Sequence, residues 1–358
     1  MKKLIILVIF ILSLVLLSGC ASLVKDNGNV GNTGNTTSIG NTNSAAPKLI
    51  QEYFPMRENV RYVYEGKGNE YAAYDVYVDY ISEGRIQQRI NNGGTETAKV
   101  IELKDGRLTV LLSKGEAYYR ENLLKTTSGD EEVLLMEPLI KGTTWTLKDS
   151  RVRTVTGISV DVSTPSGNYQ AIEVTTDSPN DKIIDYYAKD IGLIKSVFKS
   201  GENEITSSLS KVEENVSLVQ RISFFYPNIT DNKLYYQQKD ISFKTNDITR
   251  KVLETAYKET AKKDLGLVFT QNTQINSLYL SQDGMVYIDL NNAFLKEMNA
   301  GSGYEGMILQ SIANTFGKYY GAAKVILTID GSLYESGHFA FKKGEYLKVG
   351  FEDAIEIK

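Results

Sequence analysis

Alternating apolar and polar positions mark the first half of the folded chain as β structure. In the run 74–80, Tyr74, Val76, Val78 and Tyr80 occupy every second position, a period typical of a strand with one buried face. Similar runs, separated by turn residues, occur at 61–65, 100–103, 108–113, 117–120, 158–162, 170–175, 183–187 and 193–198. We predict an all-β antiparallel domain over residues 49–214, built as a curved sheet, a sandwich or an open barrel.

The hydrophobic period changes after residue 214. Strands are predicted at 222–226 and 234–243, and the spacing of Ile248, Val252 and Ala256 predicts a helix capped by Asn246 or Asp247. Strands at 274–280 and 285–290 come next. A second helix starts at Ser302, with Glu305 completing an S-x-x-E capping box, and a strand spans 324–329. The order β-α-β-β-α-β predicts a small α+β sandwich over residues 215–358, with both helices on one face of its sheet.

The first 48 residues have the pattern of a secreted lipoprotein. Two lysines precede an apolar run at 4–17, and Leu17-Ser18-Gly19-Cys20 resembles a bacterial lipobox. We predict a signal peptide at 1–19, a lipidated Cys20 and a location on the outer face of the cytoplasmic membrane. An ordinary cleaved signal peptide is the alternative. Residues 20–48 are rich in Gly, Asn, Thr and Ser, which predicts a disordered linker after the lipidated cysteine.

Composition narrows the possible chemistry. The net charge of −4 argues against nucleic acid as a partner. Cys20 and His338 are the single cysteine and histidine, which argues against a disulfide, a thiolate metal site or a His-based metal site. No nucleophile elbow is present. We predict no catalytic residue, no cofactor and no metal; paired carboxylates such as Asp283 and Asp289 leave a glycan hydrolase as a weaker alternative.

Tyrosines are concentrated in the first predicted strands. They have two interpretations: a surface that stacks on sugar rings or binds protein, or cross-strand packing within the sheet. The residues concerned are Tyr62, Tyr64, Tyr71, Tyr74, Tyr77 and Tyr80, with Tyr118, Tyr119, Tyr186 and Tyr187 as further candidates.

Short motifs in the C-terminal region occur in a fixed order. They are the run 286–290, Phe294, Gly301-Ser302 with Glu305, the run 312–316 and Ile329-Asp330-Gly331. Over residues 217–351 this set resembles the GerM domain of sporulation and spore-germination lipoproteins. The resemblance implies a fold related to ring-building modules and a non-enzymatic role at the cell surface. The positions that carry the motif, expected to be structural, are Asp289, Phe294, Ser302, Glu305, Asn314, Thr315, Asp330 and Gly331.

These observations lead to one expected function and one main alternative. We expect a lipid-anchored, extracytoplasmic binding or assembly protein of the bacterial envelope, acting in sporulation, germination or peptidoglycan-associated complexes. Its partners would be the cytoplasmic membrane, through the Cys20 anchor, and an envelope protein complex or peptidoglycan. The alternative is a carrier of a lipid or other apolar ligand in the N-terminal β domain. An open apolar concavity in that domain would favour the carrier, and a filled core would not.

Overall fold

The N-terminal region forms one long antiparallel sheet. The computed structural model describes residues 49–129, 131–259 and 265–357; the predicted signal peptide and linker, including Cys20, lie outside them. The strands described up to residue 214 are β1 (Val60–Lys67), β2 (Tyr74–Ser82), β3 (Arg85–Asn91), β4 (Glu96–Lys104), β5 (Arg107–Lys114), β6 (Glu132–Met136), β7 (Thr144–Thr146), β8 (Val152–Thr164), β9 (Gly167–Asp177), β10 (Asp181–Ala188), β11 (Gly192–Ser200) and β12 (Asn203–Glu214). They pair in the order β6-β5-β4-β3-β2-β1-β12-β11-β10-β9-β8-β7.

The sheet curls until its two edge strands approach each other. Register shifts interrupt the pairing in several strands, for example between Val63 and Tyr64, and such bulges increase twist and bend a sheet. Side chains then bridge the edge strands. Trp145 Nε1 of β7 donates a hydrogen bond to the carbonyl oxygen of Val133 in β6 at 3.0 Å, and Arg153 Nη1 of β8 donates to the same oxygen at 2.7 Å. Of the predicted forms, the curved sheet is the one adopted.

A short helix, α1 (Ile50–Tyr53), packs its apolar side chains into the core inside this curled sheet. The backbone N–H of Ile50 donates to Glu137 Oε1 at 2.9 Å, just after β6. The carbonyl oxygen of Glu52 accepts from the N–H of Asp190, in the turn between β10 and β11, at 2.6 Å. The α1 segment therefore links two distant parts of the sheet.

The prediction of a strand at 117–120 is wrong. These residues are irregular and pack with their neighbours on the outer face of β2–β5. The N–H of Ala117 donates to the carbonyl oxygen of Glu96 in β4 at 2.9 Å. Side chains bond the carbonyl groups of the segment: Arg89 donates to those of Ala117 and Tyr119, and Gln87 Nε2 donates to that of Glu121 at 2.8 Å. Two polar side chains of β3 thus take the place of a sheet partner.

The C-terminal region is α+β, as predicted, but contains two sheets among its described residues instead of one. Strands β13, β14 and β20 form the first sheet; β15, β16, β17 and β18 form the second, where β19 also pairs with β17. The elements are β13 (Leu218–Asn228), β14 (Lys233–Phe243), α2 (Thr249–Lys258), β15 (Ile275–Leu280), β16 (Val286–Leu290), α3 (Ala293–Met298), α4 (Ser302–Tyr320), β17 (Lys324–Ile329), β18 (Ser332–Leu333), β19 (Leu347–Lys348) and β20 (Ile355–Glu356).

The predicted order β-α-β-β-α-β needs two corrections. The second strand, β14, forms a hairpin with β13 before the first long helix, and the short helix α3 precedes α4. In α4, Ile308, Ile312 and Phe316 reach the core and are almost fully buried. Helix α4 ends at Gly321, whose left-handed backbone (φ 68°) suits glycine.

Buried polar contacts join the two regions across the link between β12 and β13. Arg120 is 1% exposed and donates to the carbonyl oxygen of Asp79 at 2.7 Å and to that of Lys244 at 3.0 Å. Thr245 and Asn59 exchange hydrogen bonds of 2.8 and 2.9 Å between their side-chain oxygens and backbone N–H groups. The regions therefore pack against each other through specific hydrogen bonds.

Candidate functional site

The turn after β17 is held by the carboxylate of Asp289, at the end of β16. Its Oδ1 accepts from Thr328 Oγ1 at 2.6 Å and from the backbone N–H of Gly331 at 2.8 Å. Burial opposes ionisation, but hydrogen bonds from Thr328, Gly331 and Asn276 lower the pKa of Asp289. Asp330 stays in the turn and accepts from the N–H of Asn292 at 3.1 Å.

Three further motif residues lie in the core. Asn314 is fully buried, and its amide exchanges two hydrogen bonds with the backbone of Gly350, at 2.7 and 2.9 Å. Thr315 accepts from the N–H of Phe225 at 3.0 Å. Phe294, 1% exposed, packs edge-to-face on Phe269. Each contact fixes one element of the domain to another.

The capping box predicted at Ser302 and Glu305 is wrong. Gly301 precedes the helix and makes no side-chain cap, while Glu305 is 2% exposed and turns away from the helix start. Its carboxylate accepts from Tyr334 Oη at 2.6 Å and lies 2.6 Å from His338 Nδ1. Burial opposes ionisation, but hydrogen bonds from Ser336, Tyr334 and His338 lower the pKa of Glu305. The sequence spacing suited a cap, but the loop after β18 supplies stronger donors.

The glycan-hydrolase alternative finds no support in the position of its carboxylates. Asp283 lies in the turn before β16, where it accepts from Tyr287 Oη at 2.9 Å, and Asp289 lies at the other end of the strand. Six residues at about 3.3 Å each separate them by roughly 20 Å. Catalytic pairs need about 5–9.5 Å. Among the described residues no cluster of His, Cys, Asp and Glu is suited to a metal ion.

The tyrosines of the first strands divide between the two faces of the sheet. Tyr62 and Tyr64 point inward and are buried, and the ring of Tyr64 stacks on that of Tyr74 with centroids 4.5 Å apart. Tyr80 is buried on the outer face, while Tyr71 is 52% exposed. Cross-strand packing, rather than one continuous aromatic surface, is therefore the arrangement found.

The interior of the curled sheet contains a cavity of about 450 Å³. This size lies within the range of about 300–1,000 Å³ usual for small-molecule sites. The core of the N-terminal region is thus not completely filled. Its apolar lining comes from strands in both halves of the sheet and from the segment that follows α1. It includes Phe54, Tyr62, Ile101, Val110, Leu134, Tyr187 and Leu193.

Four charged side chains from alternate strands also line this cavity: Lys99 (β4), Glu132 (β6), Arg153 (β8) and Asp185 (β10). The guanidinium of Arg153 is occupied, since it pairs with Glu132 at 2.6 Å and donates to Thr176 Oγ1 at 2.8 Å. Burial raises the pKa of the Asp185 carboxyl, which accepts from Ser196 Oγ at 2.6 Å.

Lys99 is the member of this group whose donors are not used. Its Nζ makes no hydrogen bond or ion pair with a described residue. Burial lowers the pKa of its ammonium group, while the negative charges of Glu132 and Asp185 act in the opposite direction. An ammonium group has three donors and no acceptor, so an apolar interior leaves it in need of an acceptor.

Sequence reasoning raised an open apolar concavity in this domain as an alternative but missed its charged residues, although a signal was present. In β10 the period of two places Asp185 on the same face as Ile183 and Tyr187, both of which line the cavity. A charged residue in the middle of an apolar face indicates either a buried network or a binding site.

Comparison with known proteins agrees with the sequence resemblance. Residues 223–335 match the family model Germane, described as sporulation and spore germination. Similar solved structures include the tandem GerMN domains of the sporulation protein GerM from Bacillus subtilis, at 17% identity over 37% of this chain and 46% of that chain (TM-score 0.28). The structure of the first of these domains alone is 17% identical over 37% of this chain and 97% of that chain (TM-score 0.27). A Bacteroides fragilis protein with a YmcC-like fold gives 14% identity over 45% and 99% (TM-score 0.29).

These matches have limited extent. This chain covers about half, 46%, of the tandem GerMN structure. No protein of curated function matches the sequence. In the described ranges, none of the helices has the length and apolar character needed to cross a membrane. The region that matches the family, residues 223–335, contains Asp289, Asn314 and Asp330, so the likeness to GerM is confined to this part of the chain.

Proposed function

We propose that this chain is a lipid-anchored, extracytoplasmic binding protein whose GerM-like domain docks on another component of the bacterial envelope. The family match over residues 223–335 supports a sporulation or germination context. The observation that carries the proposal is that motif residues such as Asp289, Asn314 and Thr315 use their polar atoms to hold the domain together. Such a domain contributes a shaped surface and no reactive group.

The second sheet offers a suitable docking edge. Strand β15 lies at one end of this sheet and pairs only with β16 among the described residues. Its Tyr279 is 48% exposed and stacks on Tyr287, with ring centroids 5.5 Å apart. An exposed edge strand can pair with an extended segment of another chain through backbone hydrogen bonds. The proposed partner is an envelope protein that adds a strand at this edge.

The test is site-specific photocross-linking of the full chain in its own cells. A photoreactive phenylalanine replaces Tyr279, and in a control it replaces Ile158, which is 41% exposed on β8 of the other sheet. We expect a covalent adduct with an envelope protein at position 279 and none at 158. Recovery of only the free chain from position 279 would contradict docking at β15.

A second function, carriage of an apolar ligand, is favoured by the cavity of about 450 Å³ inside the curled sheet. We propose that the N-terminal region binds a small apolar molecule there. Leu134→Trp should fill part of the cavity, whereas Ile158→Trp changes an exposed site and serves as the matched control. Native mass spectrometry of the full chain from its host should detect a bound molecule with wild type and control but not with Leu134→Trp. If wild type, Leu134→Trp and Ile158→Trp all retain the bound molecule equally, the molecule does not bind in this cavity.

A further inference from the structure

The cavity contains a charged group that the core does not satisfy, and this group specifies a ligand. Lys99 projects from β4 into the cavity, where Nζ has no hydrogen-bond or ion-pair partner among the described residues. The other cation, Arg153, is already paired with Glu132 at 2.6 Å. Lys99 is half-buried, and its ammonium group, which has three donors and no acceptor, is free to bind an acceptor on a ligand in the cavity.

Much of the remaining cavity wall is apolar or aromatic. Phe54, Tyr62, Ile101, Leu134 and Leu193 present apolar or aromatic surface to the same space. At about 30 Å³ for each non-hydrogen atom, the cavity has room for roughly fifteen such atoms. One cationic group beside an apolar wall of this size matches a molecule with a single alkyl chain and one charged end.

We infer that the cavity binds a single-chain amphiphile with an anionic end group, a carboxylate, which accepts hydrogen bonds from Lys99 while its alkyl chain lies against the apolar wall. This inference rests on the carrier function proposed above and specifies the chemistry of its ligand. Asp185 limits the choice, because a second negative charge close to this carboxyl is unfavourable unless Lys99 balances it. The geometry thus assigns Lys99 to the end group, because Arg153, the other cation of the cavity, is already paired with Glu132.

Three probes with the same chain length separate the end group from the alkyl chain. Dodecanoate, dodecanol and dodecylamine are titrated into the full chain by isothermal calorimetry, below their micelle concentrations. We expect dodecanoate to bind at least about tenfold more tightly than dodecanol, because a hydrogen bond to a charged group contributes about 1.5–3 kcal/mol. Dodecylamine should bind most weakly of the three.

Substitutions at Lys99 then test the residue itself. Lys99→Met keeps the length of the side chain and should reduce dodecanoate affinity about tenfold or more while leaving dodecanol affinity unchanged. Lys99→Arg should retain the preference for the anion. The control is Lys182→Met, at a lysine on β10 whose side chain is 49% exposed and pairs with Asp177.

The possible failures are distinguishable. If none of the three probes binds wild type, the carrier function and this inference both fail. If dodecanol binds as tightly as dodecanoate, and Lys99→Met alters neither, the carrier function stands and the assignment of Lys99 is overturned, with solvent as the acceptor for its ammonium group. Loss of dodecanol binding in Lys99→Met would likewise overturn it, because the substitution would then act on the shape of the cavity.

Discussion

Arg120 joins the curled sheet to the C-terminal region, and its replacement tests how strongly these two parts depend on each other. The guanidinium is 1% exposed and donates to the carbonyl oxygens of Asp79 and Lys244 and to Tyr80 Oη, at 2.7, 3.0 and 2.8 Å. Its Nε also lies 3.6 Å from the buried carboxylate of Asp79. Arg120→Met retains the apolar stem and removes every donor.

The expected loss of stability follows from what remains buried. Removing one member of a buried ion pair typically costs about 3–5 kcal/mol, because the other charge is left alone. Here Asp79 keeps a second cation, Arg89, at 3.0 Å, so its charge stays balanced. The carbonyl groups of Asp79 and Lys244 lose their donors. Each one that stays buried without a partner lowers the free energy of unfolding by about 1–3 kcal/mol. We therefore expect Arg120→Met to lower the free energy of unfolding by about 3 kcal/mol, the lower end of that range.

The assay is urea unfolding of the full chain with two probes. Trp145 is the single tryptophan and lies in β7, so its fluorescence reports the curled sheet, whereas far-UV circular dichroism reports both regions. In Arg120→Met both midpoints should fall, and the two curves should separate because the regions become less coupled. The control is Arg221→Met, which breaks an exposed pair with Asp240 and should leave the midpoint unchanged. An effect of Arg120→Met no larger than that of the control would refute the reasoning.

Three further substitutions test the motif of the GerM-like domain. Asp289 has a lowered pKa in the fold, so its stabilising effect is present above its usual pKa of 3.8 and is lost as the pH falls. Asp289→Asn should therefore reduce the free energy of unfolding at pH 7 and weaken its dependence on acid pH. If urea unfolding at pH 7 and at pH 3 shows the same loss of stability between the two pH values in the variant and in wild type, the prediction is disproved. Asn314→Leu should cost about 2–3 kcal/mol and expose the segment around Gly350 to limited proteolysis, since both backbone groups of Gly350 lose their partners; an unchanged cleavage pattern would contradict it. Gly331→Ala should cost about 1–2 kcal/mol in thermal unfolding because φ is 78°, while Gly337→Ala, at a glycine without positive φ, should be neutral; equal effects would exclude backbone strain as the cause.

Sequence periodicity identified the strands whose apolar residues alternate, and missed those whose buried positions are polar. Strand β12 contains almost only Ser, Thr, Glu, Asn and Lys around its buried Leu209, so it has no hydrophobic period to detect. Strand β3 buries Gln87 and Arg89, which bond the backbone of the segment after β5. That same segment, predicted as a strand at 117–120, is irregular because these side chains replace a strand partner.

The approach of the two sheet edges could not be predicted from the sequence either. It depends on Trp145 and Arg153 meeting the carbonyl oxygen of Val133, and nothing in the pattern of the individual strands specifies which strand lies opposite. The mostly β character and the presence of helices near residues 249–258 and 302–320 depend on short-range patterns, and these were predicted. The cavity arises from the long-range curvature, which explains why its lining was not recognised as a site.

Motif resemblance and binding function point to different residues in this chain, for a physical reason. A polar atom whose hydrogen bonds are satisfied within the fold has no capacity left for a partner, and this is the situation of Asp289, Asn314 and Thr315. These residues define the domain because they hold it together. Lys99 belongs to no motif, yet its donors are free and it lies in a cavity of about 450 Å³. A search for binding sites in proteins of this kind should therefore start from cavity-lining groups whose donors are unused, and use the motif to establish the fold around them.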